Sequence, residues 1–261
     1  MTTNMETLRT IMEHRSIRRY KPDPIPEGLL NEILEAGLRA SNTGNMQVYS
    51  IIVTQSHEVK EQLAPCHFNQ PMVTEAPVVL TFCADIHRFG LWCQQRDARP
   101  GYDNLLWFCN AAIDAVLAAQ NVCIAAEAHG LGICYLGTTL YTPLRIAQVL
   151  RLPQGVMPVT TVVMGHPAEQ PELQDRLPMR GVVHCERYGA YSPNDIDAIY
   201  AAKERLPLTE RLLVENKLQT LAQVFTERRY PHADNLAFSR GLLESLAQQG
   251  FMYHDDMHSG G

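Results

Sequence analysis

Residues 103–129 limit the fold more than any other stretch of this chain. They are apolar nearly all round, and the run is broken only by Asn110, Asp114, Gln120, Asn121, Glu127 and His129. Gly130-Leu131-Gly132 stops it. At about 1.5 Å of rise per residue, a helix here is about 40 Å long. A helix without a polar face runs through a core or along a subunit interface. A bilayer span needs about 20 mostly apolar residues, and the polar interruptions speak against one. No membrane partner is expected.

The patterns on either side supply layers for this helix to pack against. Residues 5–13 carry Leu8, Ile11 and Met12 at helical spacing, and Pro26-Glu27 opens a second helix with Leu29, Leu30, Ile33 and Leu34 on one face. Residues 49–54 read as a strand, 58–63 as a short helix and 78–83 as an apolar strand covered on both faces. Residues 87–101 read as a polar excursion. After the long helix come a strand at 133–136, a helix at 143–150 and a strand at 157–164. Residues 169–187 show little regular pattern, and three helical patches follow at 195–204, 209–228 and 235–249. This order predicts an α+β domain with a mixed sheet between helices. The tail, 254–261, is expected to be disordered.

Charge and cysteine usage exclude some classes. The formal net charge is -6, from 22 Lys+Arg against 28 Asp+Glu. A nucleic-acid binder needs a basic face, so none is expected here. The seven cysteines are odd in number and lack C-x-x-C spacing. They read as free thiols in a reducing cytoplasm, with no metal site. The first residues lack a basic region followed by an apolar run, so no signal peptide is expected, and no G-x-G-x-x-G supports a Rossmann nicotinamide domain.

Against that acidic background, His14-Arg15-Ser16-Ile17-Arg18 stands out. His14, Arg15, Ser16 and Arg18 are four anion-binding groups within five residues. Guanidinium forks and a hydroxyl suit a phosphate. Ser41-Asn42-Thr43-Gly44-Asn45 is a run of turn formers whose side chains also bond ligands, and it reads equally as a helix stop.

Four segments in order resemble the nitroreductase and flavin reductase family. They are His14–Arg18, then Ser41 to Gln47, then Gly130-Leu131-Gly132 through Tyr135-Leu136-Gly137, and last Gly165-His166-Pro167 through Arg176-Leu177-Pro178. Two departures stand out. Val48-Tyr49 replaces the usual Pro-Trp, and Gln174 stands where a Lys is common. The resemblance implies a three-layer domain with a mainly antiparallel sheet. It implies an FMN-binding core over residues 1–192 and a helical extension of the same domain over 193–253.

The resemblance also implies roles. His14, Ser16 and Arg176 would hold the FMN phosphate, and Arg15 is a further cofactor-binding candidate. Arg18 and Gln70 would face the flavin pyrimidine, with Asn69 an equally good amide by sequence. Ser41, Asn42, Thr43 and Asn45 would reach the cofactor from the other subunit of a homodimer. Backbone amides at Leu136 and Gly137 would approach its redox edge; Tyr135, beside them, is a cofactor-binding candidate that reads equally as a core strand residue. The activity implied is NAD(P)H oxidation, with NADPH or NADH as donor. A small-molecule acceptor (a nitroaromatic, quinone or flavin) would then be reduced in ping-pong order. The chemistry resides in the cofactor, so no catalytic side chain is assigned. A flavin-binding protein for storage or sensing is the alternative. Lys203, Arg205, Arg211, Arg228 and Arg229 are candidate partners for a 2′-phosphate, and equally solvated helix charges.

Overall fold

The computed structural model describes residues 3–253; the expected tail lies outside the described residues. The chain divides into two compact units. One holds the described residues up to Glu172 together with those from Phe238 onward, and the other is Leu173–Ala237.

The first unit runs α1 (Thr3–Met12), α2 (Glu27–Leu38), β1 (Tyr49–Thr54), α3 (His57–Leu63), α4 (Met72–Glu75), β2 (Val78–Asp85), α5 (His87–Gln94), α6 (Leu105–Ala128), β3 (Gly132–Leu136), α7 (Pro143–Val149) and β4 (Val156–Gly165). The sheet order is β1-β2-β4-β3, and every neighbouring pair is antiparallel. The parallel component is a single bridge between Ser16 and Ile133.

Strand alternation builds the layers. All eight residues of β2 are buried. Val78, Leu80, Phe82 and Ala84 join the cluster formed with α2 and α6, whereas Val79 joins Leu63, Met72, Val73 and Ile146 on the opposite face. The sheet is therefore the middle of three layers.

The side of α6 that meets the sheet is mostly small: Ala111, Ala115, Ala118, Ala119 and Ala126. Small residues let helix and sheet approach closely. Gly37 of α2 allows the same against Val122, since a Cβ there would lie 2.5 Å from Val122 Cγ2. Asn104 caps the helix by accepting from the Trp107 amide at 3.1 Å, and Gly130, at φ +76°, ends it. Among the described residues α6 is long and apolar enough to cross a membrane by length and composition. Its alanine stripe is nonetheless spent on the sheet. Its other side keeps larger apolar groups exposed, among them Leu106, Ile113, Val116 and Leu117.

Two expectations need correction. The excursion after β2 contains α5, where Phe89 packs edge-on against Trp92 and Tyr102 with ring centroids 5.3 and 5.5 Å apart. Its polar residues masked that packing. The second concerns the other unit, which holds α8 (Pro193–Glu204), α9 (Pro207–Asn216) and α10 (Leu221–Gln223), the last continuing as a π-helical turn at Val224–Arg229. The single helix expected at 209–228 is broken. Lys217 turns left-handed, and Thr220 starts a new helix through a capping box with Gln223. The last helix, α11 (His232–Gln248), contributes Leu246 to the core of the first unit, as does Phe251 beyond its end.

Gly165 closes β4 in a place with no room for a side chain. A Cβ there would run into the Pro77 ring and lie 3.0 Å from Tyr20 Cδ1. A proline ring yields little. Gly165→Ala is expected to cost about 1–3 kcal/mol of stability, read as a lower urea midpoint at unchanged slope.

Candidate functional site

The basic segment is fastened at both ends of the sheet's edge. The Ile17 amide donates to the Ile133 carbonyl at 2.9 Å, the Lys21 amide to His166 at 2.9 Å, and the Ala168 amide to Arg19 at 2.9 Å. Ile17 lies over Gly132, where a Cβ would come within 2.6 Å of its Cγ1. Only glycine leaves room for that contact. Ile17 and Tyr20 point inward, so Arg18 and Arg19 point out. The Tyr20 hydroxyl donates to the Ile17 carbonyl at 2.5 Å. Burial pushes its pKa far above the usual phenol range, helped by the nearby Cys134 thiol, so it acts as a fixed donor.

The four anion-binding groups are not equivalent. His14 Nδ1 lies 2.6 Å from Glu127 Oε1, which aims the ring. Ser16 forms the bridge to β3. Arg15 spends one nitrogen on the Glu13 carbonyl at 2.8 Å, while its buried Nε has no partner among the described residues. Arg15 lines a hollow of about 710 Å³ together with Arg9 and Lys21 and with four carboxylates, Glu6, Glu13, Glu127 and Glu169. The Arg18 and Arg19 amides both donate to Glu169 Oε1, at 2.6 and 3.1 Å. The Arg18 guanidinium has no hydrogen bond or ion pair among the described residues. Arg18 also lines a second hollow, of about 810 Å³, with Pro71 and Met72. Those residues directly follow Gln70.

Gln70 is half-buried and Asn69 is exposed, which separates two amides that the sequence left equal. The loop reaches Gln70 through two consecutive left-handed residues, Phe68 and Asn69, at φ 55° and 53°. It is tied to the turn after β3 at two points. His67 Nδ1 lies 2.9 Å from Thr138 Oγ1, and Thr142 Oγ1 donates to the Cys66 carbonyl at 2.7 Å. On that turn Leu136 is buried, Tyr135 is half-buried with its hydroxyl 3.4 Å from Gln120 Oε1, and Gly137 is exposed. A Cβ built on Gly137 would meet nothing within 4 Å. The sequence thus brings His14 to Arg18, Gln70 and Tyr135 to Gly137 into one region.

The other two predicted groups make their hydrogen bonds within other segments. Thr43 donates from its amide and its hydroxyl to Asp114 Oδ1, at 2.8 and 3.0 Å. Asn42 and Asn45 bond within their own turn, accepting from the Gln47 amide and the Gln47 side chain, and Ser41 is exposed. None of these four shares a hydrogen bond with the basic segment among the described residues. Arg176 belongs to the second unit, where it donates to the Gln174 and Asp175 carbonyls at 3.3 and 3.0 Å. In the same unit Lys203 is paired with Asp175 at 2.6 Å, and Arg229 lies over the Phe225 ring.

Three features escaped sequence reasoning. Asp114, 1% exposed, read as an interruption of an apolar helix and is the anchor of the Thr43 turn. His67, fully buried, carried no motif. Phe68, Tyr141 and Phe238 form an aromatic ladder beside the Gly137 turn, with centroids 6.1 Å apart in the first pair and 4.4 Å in the second. No metal-binding cluster occurs among the described residues.

Comparison with known proteins identifies relatives in sequence and in fold. The sequence profile of the nitroreductase family matches residues 11–166. An FMN reductase of Bacillus subtilis (strain 168), named for NAD(P)H, is 30% identical over 257 residues, covering 94% of this chain and 98% of its own. A solved chain from Bacteroides fragilis NCTC 9343 superposes with a TM-score of 0.93 at 53% identity, over 94% of this chain and 100% of its own. The NADPH:FMN oxidoreductase of Vibrio harveyi, solved with NAD+, gives a TM-score of 0.82 at 28% identity, over 95% and 100%. With its three layers, its basic segment laced to β3 and these relatives, the chain belongs to the nitroreductase family.

Proposed function

We propose that the protein is an FMN-dependent NAD(P)H oxidoreductase that reduces planar acceptors such as nitroaromatics, quinones or flavins. One observation carries this reading: the Arg15 guanidinium holds a buried N–H with no partner among the described residues, beside a hollow where Arg15, Arg9 and Lys21 stand among Glu6, Glu13, Glu127 and Glu169. A buried donor without a partner costs about 1–3 kcal/mol, and a small anion relieves it. The phosphate of FMN is such an anion, so the residues present fit the cofactor.

His14, Arg15 and Ser16 would hold the phosphate. Arg18 and Gln70 would hold the pyrimidine edge, where an unpaired guanidinium favours negative charge. Leu136 and Gly137 would offer backbone at the redox edge, with Tyr135 behind them. Ser41, Asn42, Thr43 and Asn45 would reach in from a second subunit. FMN, when bound, supplies the hydride chemistry, so the protein needs to bind, orient and exclude. Donor and acceptor would use one open face in turn, giving ping-pong kinetics. The Phe68 ladder supports planar acceptors, since aromatic faces stack.

A homodimer is part of the same proposal. The exposed Leu106, Ile113, Val116 and Leu117 of α6 suit a self-complementary contact. Cys109 and Cys185 are the exposed thiols among seven free ones, which also suits a reducing cytoplasm. Cys109 lies one helical turn from Ile113 on α6. Native protein is therefore expected to show one fast thiol, Cys185, with a thiol reagent. Ile113→Glu is expected to split the dimer and expose Cys109 as a second. Two fast thiols in the wild type would remove the α6 interface.

Anaerobic titration tests the activity. Protein loaded with FMN should lose its yellow colour on adding NADPH or NADH and regain it with a quinone. Colour that persists with both donors would instead support storage or sensing. Failure to bind FMN in excess would overturn the reading.

A further inference from the structure

His67 is an odd residue to find where it lies. It is fully buried, next in the chain to Cys66, which belongs to the apolar cluster with Leu63, Met72 and Ile146. One ring nitrogen meets Thr138 Oγ1 at 2.9 Å; the other, Nε2, is buried with no partner. Burial alone pushes its pKa down to about 4, so the ring is neutral near pH 7. An apolar side chain would fill this space without a half-satisfied polar group. Stability does not explain the choice.

The bond to Thr138 offers another explanation. Thr138 directly follows Gly137, and the His67 carbonyl accepts the Gln70 amide at 3.2 Å. His67 therefore touches both segments that bracket the site: the loop presenting Gln70 and the turn presenting Gly137. Farther round the turn, Thr142 Oγ1 pins the Cys66 carbonyl, and Thr139 Oγ1 donates to the Leu136 carbonyl at 3.0 Å. These secure the ends of the turn. Only the imidazole ties its middle to the Gln70 loop by a side-chain bond among the described residues.

We propose that His67 is a positioning residue that locks the Gly137–Thr138 backbone to the Gln70 loop, so that both meet the cofactor in one fixed geometry. The proposal rests on the FMN reading above for its consequence, though not for the lock itself. Ordering in advance is what a site on two loops needs, because each loop otherwise loses freedom on binding.

The test uses three variants of the full chain. His67→Leu breaks the lock but leaves the Thr138 hydroxyl orphaned. His67→Leu with Thr138→Val removes both polar partners, a change that is often near neutral for folding. His67→Asn keeps an amide near the position of Nδ1. Hydrogen exchange of residues 134–142 is followed without cofactor, and FMN affinity by fluorescence quenching. The double variant should melt with the wild type, exchange at least tenfold faster in this segment and bind FMN at least tenfold more weakly. His67→Asn should recover most of both. Wild-type exchange in the double variant overturns the proposal, as does faster exchange with unchanged FMN affinity. If the wild type itself fails to bind FMN, the functional reading falls, and the exchange data alone decide whether His67 holds the turn.

Discussion

Arg15→Ala is expected to weaken FMN binding by about a hundredfold or more while the fold survives. The physical case rests on unequal partners within the basic segment. Arg15 has one nitrogen on the Glu13 carbonyl and a buried Nε without a partner among the described residues. A charge-assisted bond in such a setting is stronger than one in water, and losing one partner of a buried charged pair costs about 2–5 kcal/mol. Three kcal/mol, near the middle of that range, is roughly 150-fold in Kd. Arg15→Lys keeps the charge and loses the fork, so its loss should be intermediate. Arg9 gives the control. Its side chain is 72% exposed and meets Glu13 only at 4.0 Å, and Arg9→Ala should change affinity by no more than about twofold. The check is a fluorescence titration of ligand-free protein with FMN at fixed ionic strength. Equal affinity in Arg15→Ala and wild type would move the phosphate site elsewhere.

The contrast between Arg15 and Arg18 marks how far the sequence could be read. Spacing alone made His14, Arg15, Ser16 and Arg18 a single cradle. The fold divides them: one imidazole is held by Glu127, one hydroxyl sits at a strand bridge, one guanidinium is half-buried and one is free. The strands and α6 were legible because their signals are local. An unbroken apolar run marks β2, whose residues are all buried, and Gly130 flags the end of α6. The missed features of the first unit depend on distant partners. Asp114 reads as a flaw in an alanine helix until Thr43, 71 residues away, is found on its carboxylate. His67 and Thr138 are also 71 residues apart. In α5, the aromatic contacts to Tyr102 outweighed a polar composition. Arg176 sits in a segment without regular pattern, and there its guanidinium bonds the backbone just before it.

Stability should fall between pH 6.5 and pH 4 by an amount that traces to His67. The unfolded imidazole takes up a proton near 6.5, its ordinary value, whereas the folded one holds out to about 4 because burial penalises its charged form. Between those values the unfolded chain binds more protons, so lowering the pH favours unfolding. The contribution is fully present above 6.5, declines through the window and is gone once the pH passes below 4. A gap of that size is worth about 3 kcal/mol in total, of which about 2 kcal/mol is lost between pH 6.5 and 4.5. Other groups titrate in this range as well, so the wild type alone is not decisive. The double variant His67→Leu, Thr138→Val keeps those groups and lacks the imidazole. Urea unfolding of both at pH 7, 5.5 and 4.5 isolates the difference. The wild type should lose about 2 kcal/mol more than the variant between the outer points. Parallel pH dependence in the two proteins would mean that His67 is reached by water in solution, and a solvated imidazole could not hold the turn.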